Sequence, residues 1–404
     1  MIITGPEGRL RSGELAKNRR WLRERMNPYF FVAMKDEPEA IALLARELGV
    51  LRHNRRMIMA DRDKSLILAI VNQPGTLYET LRQVREREIS YTMIAHSDGA
   101  MPEMSESLEI QRFEFDRKSN RDINEGNGVV PARIRQKILA ELRRNYPDFD
   151  MNEFDRLLRI LWLNNPNYVQ VSPPRRISLL LRLFQQGNKS GGLYLDVEPM
   201  DNREEVRVLF AVGNPPQSDF LLQVMEVFNR LEVGINRAYC LTISNGIHPY
   251  FLGTFYVRPR DGRVIERGSA IFSRMEQELS NTQLLDTRSQ AYRAFVTSGM
   301  MSGEDASLIN AFIAFCHSNL AHNQPDRFGL DDVRSAFLSH PEIALQLVQL
   351  FRARFEPGVA DRDTIWQKAL SEMERTVADY NSGHRYLDEI RRGIFRCALI
   401  FIRN

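Results

Sequence analysis

Apolar and polar residues alternate along this chain in patterns that predict a mixed α and β structure. Residues 66–71 form a near-continuous apolar run, typical of a strand covered by helices. Residues 108–115 alternate between apolar and polar positions, which predicts a further strand. Before the first run, apolar residues follow the i, i+3, i+4, i+7 spacing of a half-buried helix. That spacing is formed by Ile41, Leu44, Ala45 and Leu48.

The pattern then repeats later in the chain. Residues 63–77 (DKSLILAIVNQPGTL) correspond to residues 204–221 (EEVRVLFAVGNPPQSDFL), and ISYTMIAHS at 89–97 corresponds to INRAYCLTIS at 235–244. The dipeptide Asn27-Pro28 likewise returns as Asn165-Pro166. Two copies of a unit of this size indicate two small duplicated domains rather than one enzyme core.

Each copy is predicted to have the order βαββαβ. In the first copy Tyr29–Met34 is predicted as the opening strand, and in the second copy the corresponding strand is Tyr168–Val171. This order predicts an α+β fold: two tandem ferredoxin-like sandwiches, each with two helices on one face of an antiparallel sheet. The predicted divisions are an N-terminal segment 1–26, a first domain 27–118, a helical connector 119–164, a second domain 165–262 and a helical region 263–404.

Composition narrows the class of protein. The 55 basic and 52 acidic residues nearly cancel, so there is no broad charge footprint for nucleic acid. No apolar run approaches the ~20 residues that cross a bilayer, and the first residues lack a secretion-signal pattern. The three cysteines (Cys240, Cys316 and Cys397) are scattered, which favours a reducing compartment. We therefore expect a cytoplasmic protein without membrane or nucleic-acid partners.

The candidate binding residues lie in a turn between strand and helix. In the first copy they are Asn72, Gln73, Pro74, Gly75, Thr76 and Leu77. Proline sets φ, glycine relieves the bend, and the N–H groups of the following helix can bind a carboxylate. The alternative is a helix-entry turn without a ligand. In the second copy the candidates are Asn214, Gln217 and Ser218, in a loop where Pro216 replaces the glycine, which makes binding there less favourable.

Positive evidence for chemistry is absent from the sequence. No P-loop, Gly-x-Ser-x-Gly, His-Glu-x-x-His or kinase signature occurs. Cys316, His317 and His322 share a helical segment, but their spacing is not that of a metal motif. No catalytic, cofactor-binding or metal-binding residue is therefore predicted within the 404 residues.

The turn Asn72-Gln73-Pro74-Gly75-Thr76-Leu77 resembles the signature of ACT domains, which often sense amino acids at this loop. Two such units followed by helices resemble the long amino-terminal region of the large NAD-specific glutamate dehydrogenases. The likeness is carried by HPEIALQLVQLFRARFEP at 340–357, by residues 395–404 and, more weakly, by GGLYLDV at 191–197. That family's catalytic lysine, glutamate-binding residues and Rossmann domain have no counterparts in this sequence.

The resemblance implies a regulatory and assembly region. Its ACT-like modules would bind an amino-acid effector or form subunit contacts in a homo-oligomer, and NAD would belong to a downstream catalytic domain. The apolar helical pattern continues to the final residues, which favours a chain that leads into that domain. The alternative is a free-standing ferredoxin-like protein without enzymatic activity that binds a nucleic acid or a protein partner.

Overall fold

The structure is a computed structural model that describes residues 12–73, 75–84, 87–190, 193–200, 205–215, 220–259, 262, 265–284, 289–296 and 298–404. The chain divides into two compact units, Met1–Gln283 and Leu284–Asn404. The first unit contains the sheet and both sequence repeats. The second unit is helical throughout its described elements.

The described strands of the first unit form one antiparallel sheet. They are β1 (Arg56–Arg62), β2 (Ser65–Val71), β3 (Tyr91–Ala100), β4 (Ser107–Glu114), β5 (Leu193–Pro199), β6 (Val206–Gly213), β7 (Val233–Ser244) and β8 (Pro249–Pro259). Their order across the sheet is β1-β2-β4-β3-β7-β8-β6-β5. Each sequence repeat therefore forms one half of the sheet, and the halves join where β3 pairs with β7.

The two halves are related by an approximate twofold axis at this junction. Met93 on β3 lies opposite Tyr239 on β7. Within the first half Met93 pairs with Arg112, and within the second half Tyr239 pairs with Thr254. Met93 and Tyr239 are thus counterparts, that is, residues at equivalent positions in the two halves. The other counterparts are found by counting the same number of residues along each strand from this pair.

Helices cover both faces of the sheet. The helices of this unit are α1 (Ser12–Arg25), α2 (Pro28–Ala33), α3 (Pro38–Glu47), α4 (Leu51–Asn54), α5 (Thr76–Gln83), α6 (Asn120–Glu125), α7 (Ala132–Asn145), α8 (Phe154–Asn164), α9 (Pro166–Val171), α10 (Pro174–Lys189), α11 (Phe220–Arg230) and α12 (Ala270–Leu284). Along β2, Ile67 and Ala69 face a core with α1–α4 and α7–α10. Leu68 and Ile70 face a second core with α5, α11 and α12. Burial on both faces explains the near-continuous apolar run of this strand.

The predicted strands Tyr29–Met34 and Tyr168–Val171 are wrong, because the chain is helical there in α2 and α9. In both places an Asn-Pro pair starts the helix. The side chain of Asn27 accepts a hydrogen bond from the N–H of Tyr29, and Asn165 accepts one from Tyr168. An asparagine cap followed by proline in the first turn is a helix-start signal that outweighs the β propensity of the aromatic residues.

The observed order of each repeat is therefore αββαββ. The strand predicted at residues 108–115 is β4, which lies at the centre of its half-sheet between β2 and β3. The α+β class with an antiparallel sheet and connecting helices is confirmed. The helices differ from the predicted placement, because α3 and α10 lie on one face of the sheet while α5 and α11 lie on the other.

The second unit is built from helices around its own core. Its described elements are a π-helical turn (Tyr292–Val296), α13 (Gly303–Ala321), α14 (Leu330–Leu338), α15 (Pro341–Phe355), α16 (Arg362–Asp379) and α17 (Arg385–Arg403). In α17 the apolar positions Ile394, Ala398 and Ile402 are fully buried within the unit. α15 begins at Pro341, a residue that suits the first turn of a helix. In the described part of the chain, no helix is long and apolar enough to cross a membrane.

Candidate functional site

The first predicted turn connects the end of β2 to the start of α5. Gly75 adopts φ of 94°, in the left-handed region that favours glycine. The N–H of Thr76 donates to the carbonyl of Gln73 at 3.2 Å. Asn72 donates from its side chain to Ser107 Oγ at 3.0 Å, and Leu77 packs against the core under α5. Pro74 lies outside the described residues. The turn is thus held by its own backbone and by the neighbouring strand β4.

Replacing Gly75 by alanine is expected to lower the free energy of unfolding by about 1 to 2 kcal/mol, because an L side chain is disfavoured at this φ. An added Cβ would meet nothing within 4 Å, so the cost comes from the backbone alone. Urea unfolding measures it. Gly49→Ala is the control, since Gly49 also has open space around it but no positive φ. Equal effects of both substitutions would contradict the argument.

A buried polar cluster lies beneath this turn. Glu109 on β4 is 3% exposed and faces α5. Its Oε2 lies 2.8 Å from His96 Nε2 on β3. Gln111 donates from Nε2 to Glu109 Oε1. Thr76 Oγ1 lies 3.2 Å from Glu109 Oε1 and 3.0 Å from the Gln73 carbonyl, and its one proton can be donated to either. The cluster ties α5 to the neighbouring strands β3 and β4.

The pKa of Glu109 is lower than its ordinary value. Burial by itself raises this pKa, but the hydrogen bonds and charge of His96, followed by those from Gln111 and Thr76, lower it further than burial raises it. The carboxylate therefore stays ionised at neutral pH. A negative charge already lies beside the start of α5, where a ligand carboxylate was expected, and it would repel such a ligand. The turn alone is a poor receptor for an anion.

The second loop has a different environment. Asn214 is exposed with φ of 54°, and its N–H donates to the Pro249 carbonyl at 2.8 Å. Pro215 is buried, whereas Pro216, Gln217 and Ser218 lie outside the described residues. α11 begins shortly afterwards at Phe220. Of the predicted residues of this loop, the structure therefore places only Asn214.

The polar cluster is not repeated in the second half-sheet. His96 lies three residues after Met93 and pairs with Glu109. The counterpart of His96 is Thr242, which lies three residues after Tyr239 and pairs with Phe251. The counterpart of Gln111 is Gly253, where an added Cβ would lie 2.6 Å from the ring of Phe255. Aromatic packing replaces the cluster, since the Phe220 and Phe251 ring centroids lie 4.9 Å apart.

A cleft opens between the two repeats on the face that carries α5 and α11. Its cavity volume is about 50 Å³, which holds roughly three to five water-sized groups at about 10 to 15 Å³ each. Apolar side chains form most of its wall, namely Leu81, Ile89, Phe220, Leu221, Leu222 and Phe251. Pro215 of the second loop also lines it. The cleft thus admits a small, partly apolar molecule beside the predicted loop of the second repeat, where binding was expected to be less favourable.

Polar groups in the cleft have unused bonding capacity. Arg117 lines it, and among the described residues this guanidinium has no hydrogen-bond or ion-pair partner. Burial lowers the pKa of Arg117, and Glu88 opposes this shift. Thr92 is 1% exposed, and its Oγ1 has no partner among the described atoms. A cation and a hydroxyl beside an apolar wall are suited to a ligand with a carboxylate and a small side chain.

Sequence reasoning missed Glu109, His96, Thr92 and Arg117. The signal for Glu109 was present, because a glutamate and a glutamine alternate with apolar residues in Leu108-Glu109-Ile110-Gln111. That pattern is typical of a strand with one solvated face. It indicates a buried polar cluster only when the structure shows that β4 lies between two other strands and that α5 covers it. Among the described residues, no group of three His, Cys, Asp or Glu side chains is placed to hold a metal ion.

Comparison with known proteins gives no assignment. No model of a known protein family matches the chain, and no curated protein matches it.

Proposed function

We propose that this chain is a regulatory and assembly region that binds a small amino-acid effector in the cleft between its two repeats. The observation that carries the proposal is the cleft itself, whose lining combines an apolar wall with Arg117, a cation that has no hydrogen-bond or ion-pair partner among the described residues. Guanidinium groups bind carboxylates through charge-assisted hydrogen bonds. The cleft volume of about 50 Å³ favours a small amino acid over a long or aromatic one.

The position of the cleft supports a regulatory role. It lies where the two half-sheets meet, and residues of both repeats line it, including Leu81 of the first and Leu222 of the second. A ligand there would contact α5 and α11 at the same time. If the ligand binds one arrangement of the two repeats more tightly than another, it shifts the equilibrium toward the first arrangement. The size of the shift is set by the difference in affinity for the two arrangements.

The resemblance to large NAD-specific glutamate dehydrogenases supplies the wider context of the proposal. The two repeats would be ACT-like modules within a homo-oligomer, and a downstream catalytic domain would bind NAD and carry out the oxidoreductase chemistry. Each repeat contains a strand–helix–strand crossover with another strand inserted between its two strands, as in β2-α5-β3 around β4. This split crossover is shared with ferredoxin-like folds.

Titration calorimetry with a panel of amino acids tests the effector proposal. We expect heat from at least one small amino acid, and Arg117→Gln should weaken its affinity tenfold or more, since a hydrogen bond to a charged group contributes about 1.5 to 3 kcal/mol. Arg121→Gln is the matched control, because Arg121 is exposed and paired with Glu125.

Two outcomes would contradict the proposal. Absence of heat with every amino acid would leave the repeats with a purely structural role. Equal weakening by Arg117→Gln and Arg121→Gln would show that binding occurs outside the cleft.

The nucleic-acid alternative is not favoured by any observation. Sheet-based RNA binding needs aromatic side chains exposed on the central strands. Here helices cover both faces of the sheet. Binding to RNA with a steep salt dependence would nevertheless overturn the ranking.

A further inference from the structure

Two cysteine thiols meet at the edge of the core of the second unit. Cys316 lies on α13 and Cys397 lies on α17. The Sγ of Cys316 is 3.6 Å from the carbonyl oxygen of Ile394, which precedes Cys397 by about one helical turn. The Cys316 thiol is also hydrogen-bonded to the Cys397 thiol, and its one proton can be donated to either acceptor. The packing of the two helices therefore brings into contact two residues that are distant in the sequence.

Neighbouring aromatic rings hold α13 and α17 together at this point. The ring centroids of Phe315 and Phe401 lie 4.2 Å apart, and those of Phe312 and Phe401 lie 6.2 Å apart. On α17, Ile394 and Ala398 are fully buried in the same core. The distance between the two thiols is therefore set by close helix packing and not by a loop.

The two thiols differ in exposure and in pKa. Cys397 is partly exposed, whereas Cys316 is fully buried. The hydrogen bond from Cys316 lowers the pKa of Cys397 more than burial raises it. The same hydrogen bond, together with burial, raises the pKa of Cys316. Because the thiolate is the reactive form of cysteine, Cys397 is the more reactive of the two. A partly exposed thiol of lowered pKa beside a second thiol is typical of redox-sensing cysteines.

The third cysteine of the chain lacks these features. Cys240 lies on β7 and is 3% exposed, and burial raises the pKa of its thiol. It belongs to the first unit, whereas the other two cysteines belong to the second. Buried thiols of raised pKa are unreactive. Cys240 therefore serves as an internal control for oxidation of the chain.

We propose that Cys397 is a site of oxidation by hydroperoxides, and that Cys316 converts the oxidised Cys397 into an intramolecular disulfide. In the first step the Cys397 thiolate attacks the terminal oxygen of the hydroperoxide. The O–O bond breaks, a sulfenic acid forms on Cys397, and the leaving alkoxide takes a proton from water to give an alcohol. In the second step the Cys316 sulfur attacks the Cys397 sulfur. The S–O bond breaks, and hydroxide leaves with the Cys316 proton as water.

The two steps balance with the hydroperoxide as the one oxidant. The two thiols together lose two electrons and two protons, and the hydroperoxide takes up both to give an alcohol and water. The disulfide joins α13 to α17 covalently, and exchange with a dithiol reductant reverses it. In the reducing compartment that the sequence predicts, such a disulfide is transient. The site lies in the second unit and does not depend on the effector proposed for the first.

Peptide mapping of the oxidised full chain tests the proposal. The folded chain is treated with hydrogen peroxide, then unfolded and blocked with N-ethylmaleimide. Mass spectrometry should find Cys316 joined to Cys397, and Cys240 blocked as a free thiol. When the peroxide is added in denaturing urea, the ratio of disulfide to Cys397 sulfinic acid should fall roughly tenfold or more, because Cys316 is no longer held beside the sulfenic acid.

Variants separate the roles of the two thiols. Cys316→Ala should abolish the disulfide and leave a sulfenic acid on Cys397, which dimedone traps. Cys397→Ser should abolish both the disulfide and the dimedone adduct. Cys240→Ser is the control and should keep the disulfide yield of the unaltered chain. If Cys316→Ala fails to fold, peptide mapping of the unaltered chain still decides.

Other results would overturn the proposal. Conversion of Cys397 to sulfinic acid without a disulfide, in the folded chain, would show that Cys316 does not reach it. A disulfide between two chains, which a non-reducing gel resolves from the intramolecular one, would show that the contact between α13 and α17 is not used. Oxidation of Cys240 before Cys397, or no oxidation of Cys397, would show that Cys397 is not the reactive thiol.

Discussion

Replacing Glu109 by alanine is expected to lower the free energy of unfolding of the first unit by about 3 to 5 kcal/mol, because it leaves the buried partners of the carboxylate uncompensated. The partners are His96, Gln111 and Thr76, which come from three different elements. Urea unfolding followed by tryptophan fluorescence measures the change. A Trp366→Phe background restricts the signal to Trp21 and Trp162 of the first unit.

Glu106→Ala is the matched control for this prediction. Glu106 also lies near the polar cluster in sequence and pairs with an arginine, but the Glu106 and Arg55 side chains are 28% and 45% exposed. An exposed pair contributes about 0 to 1 kcal/mol. Similar losses from both substitutions would show that the buried cluster has no special role in stability.

The lowered pKa of Glu109 sets the sign of its pH dependence. The folded pKa lies below the unfolded value of about 4.3, so the stabilisation is fully present above that pH and is lost as pH falls through the folded pKa. The difference in unfolding free energy between wild type and Glu109→Gln should therefore shrink as the solution is acidified from about pH 5 to pH 3. A difference independent of pH would contradict an ionised Glu109.

Replacing Arg112 by leucine should have an effect of similar size. It removes the cation shared by Asp36 and Glu114 and leaves two carboxylates at the edge of the core, which costs about 3 to 5 kcal/mol. The same fluorescence assay measures it. Because the pKa of Glu114 is raised by burial even with Arg112 present, loss of the arginine should favour protonation of this carboxyl further.

Two further variants separate charge from packing at Arg112. Arg135→Leu is the control, since Arg135 and Asp155 form an exposed pair, and it should change stability by about 0 to 1 kcal/mol. Adding Asp36→Asn and Glu114→Leu to Arg112→Leu should recover most of the loss, because the unpaired carboxylates are then gone. No recovery would show that Arg112 acts through packing alone.

The two largest expected effects concern the same structural difference between the repeats. In the first repeat Arg112 is paired with the carboxylates of Asp36 and Glu114, and the Glu109 carboxylate is hydrogen-bonded to His96. In the second repeat aromatic rings replace the Glu109 cluster, and Arg176, a buried residue of α10, has no carboxylate partner among the described residues. Divergence after duplication has therefore changed the buried polar groups more than the strand order.

The repeat and most of the regular elements can be predicted from the amino-acid sequence. Its periodicities reflect local geometry: alternation or a continuous apolar run for β2 and β4, and three-to-four spacing for α3 and α10. Gly75 was predicted to relieve the bend of its turn, and its φ of 94° lies in the left-handed region that favours glycine. The strand prediction is wrong at Tyr29–Met34, where aromatic residues favoured a strand but an Asn-Pro cap starts a helix.

Long-range packing sets which faces of the sheet are covered and which side chains meet. The central position of β4, the pairing of β3 with β7 and the placement of α5 opposite α3 depend on contacts between distant residues. Those contacts bury Glu109 beside His96 and leave Arg117 at the cleft. The pattern of apolar and polar residues indicates whether a position is buried. It does not indicate which core the side chain enters or which residue it contacts, because both are set by pairing across the sheet.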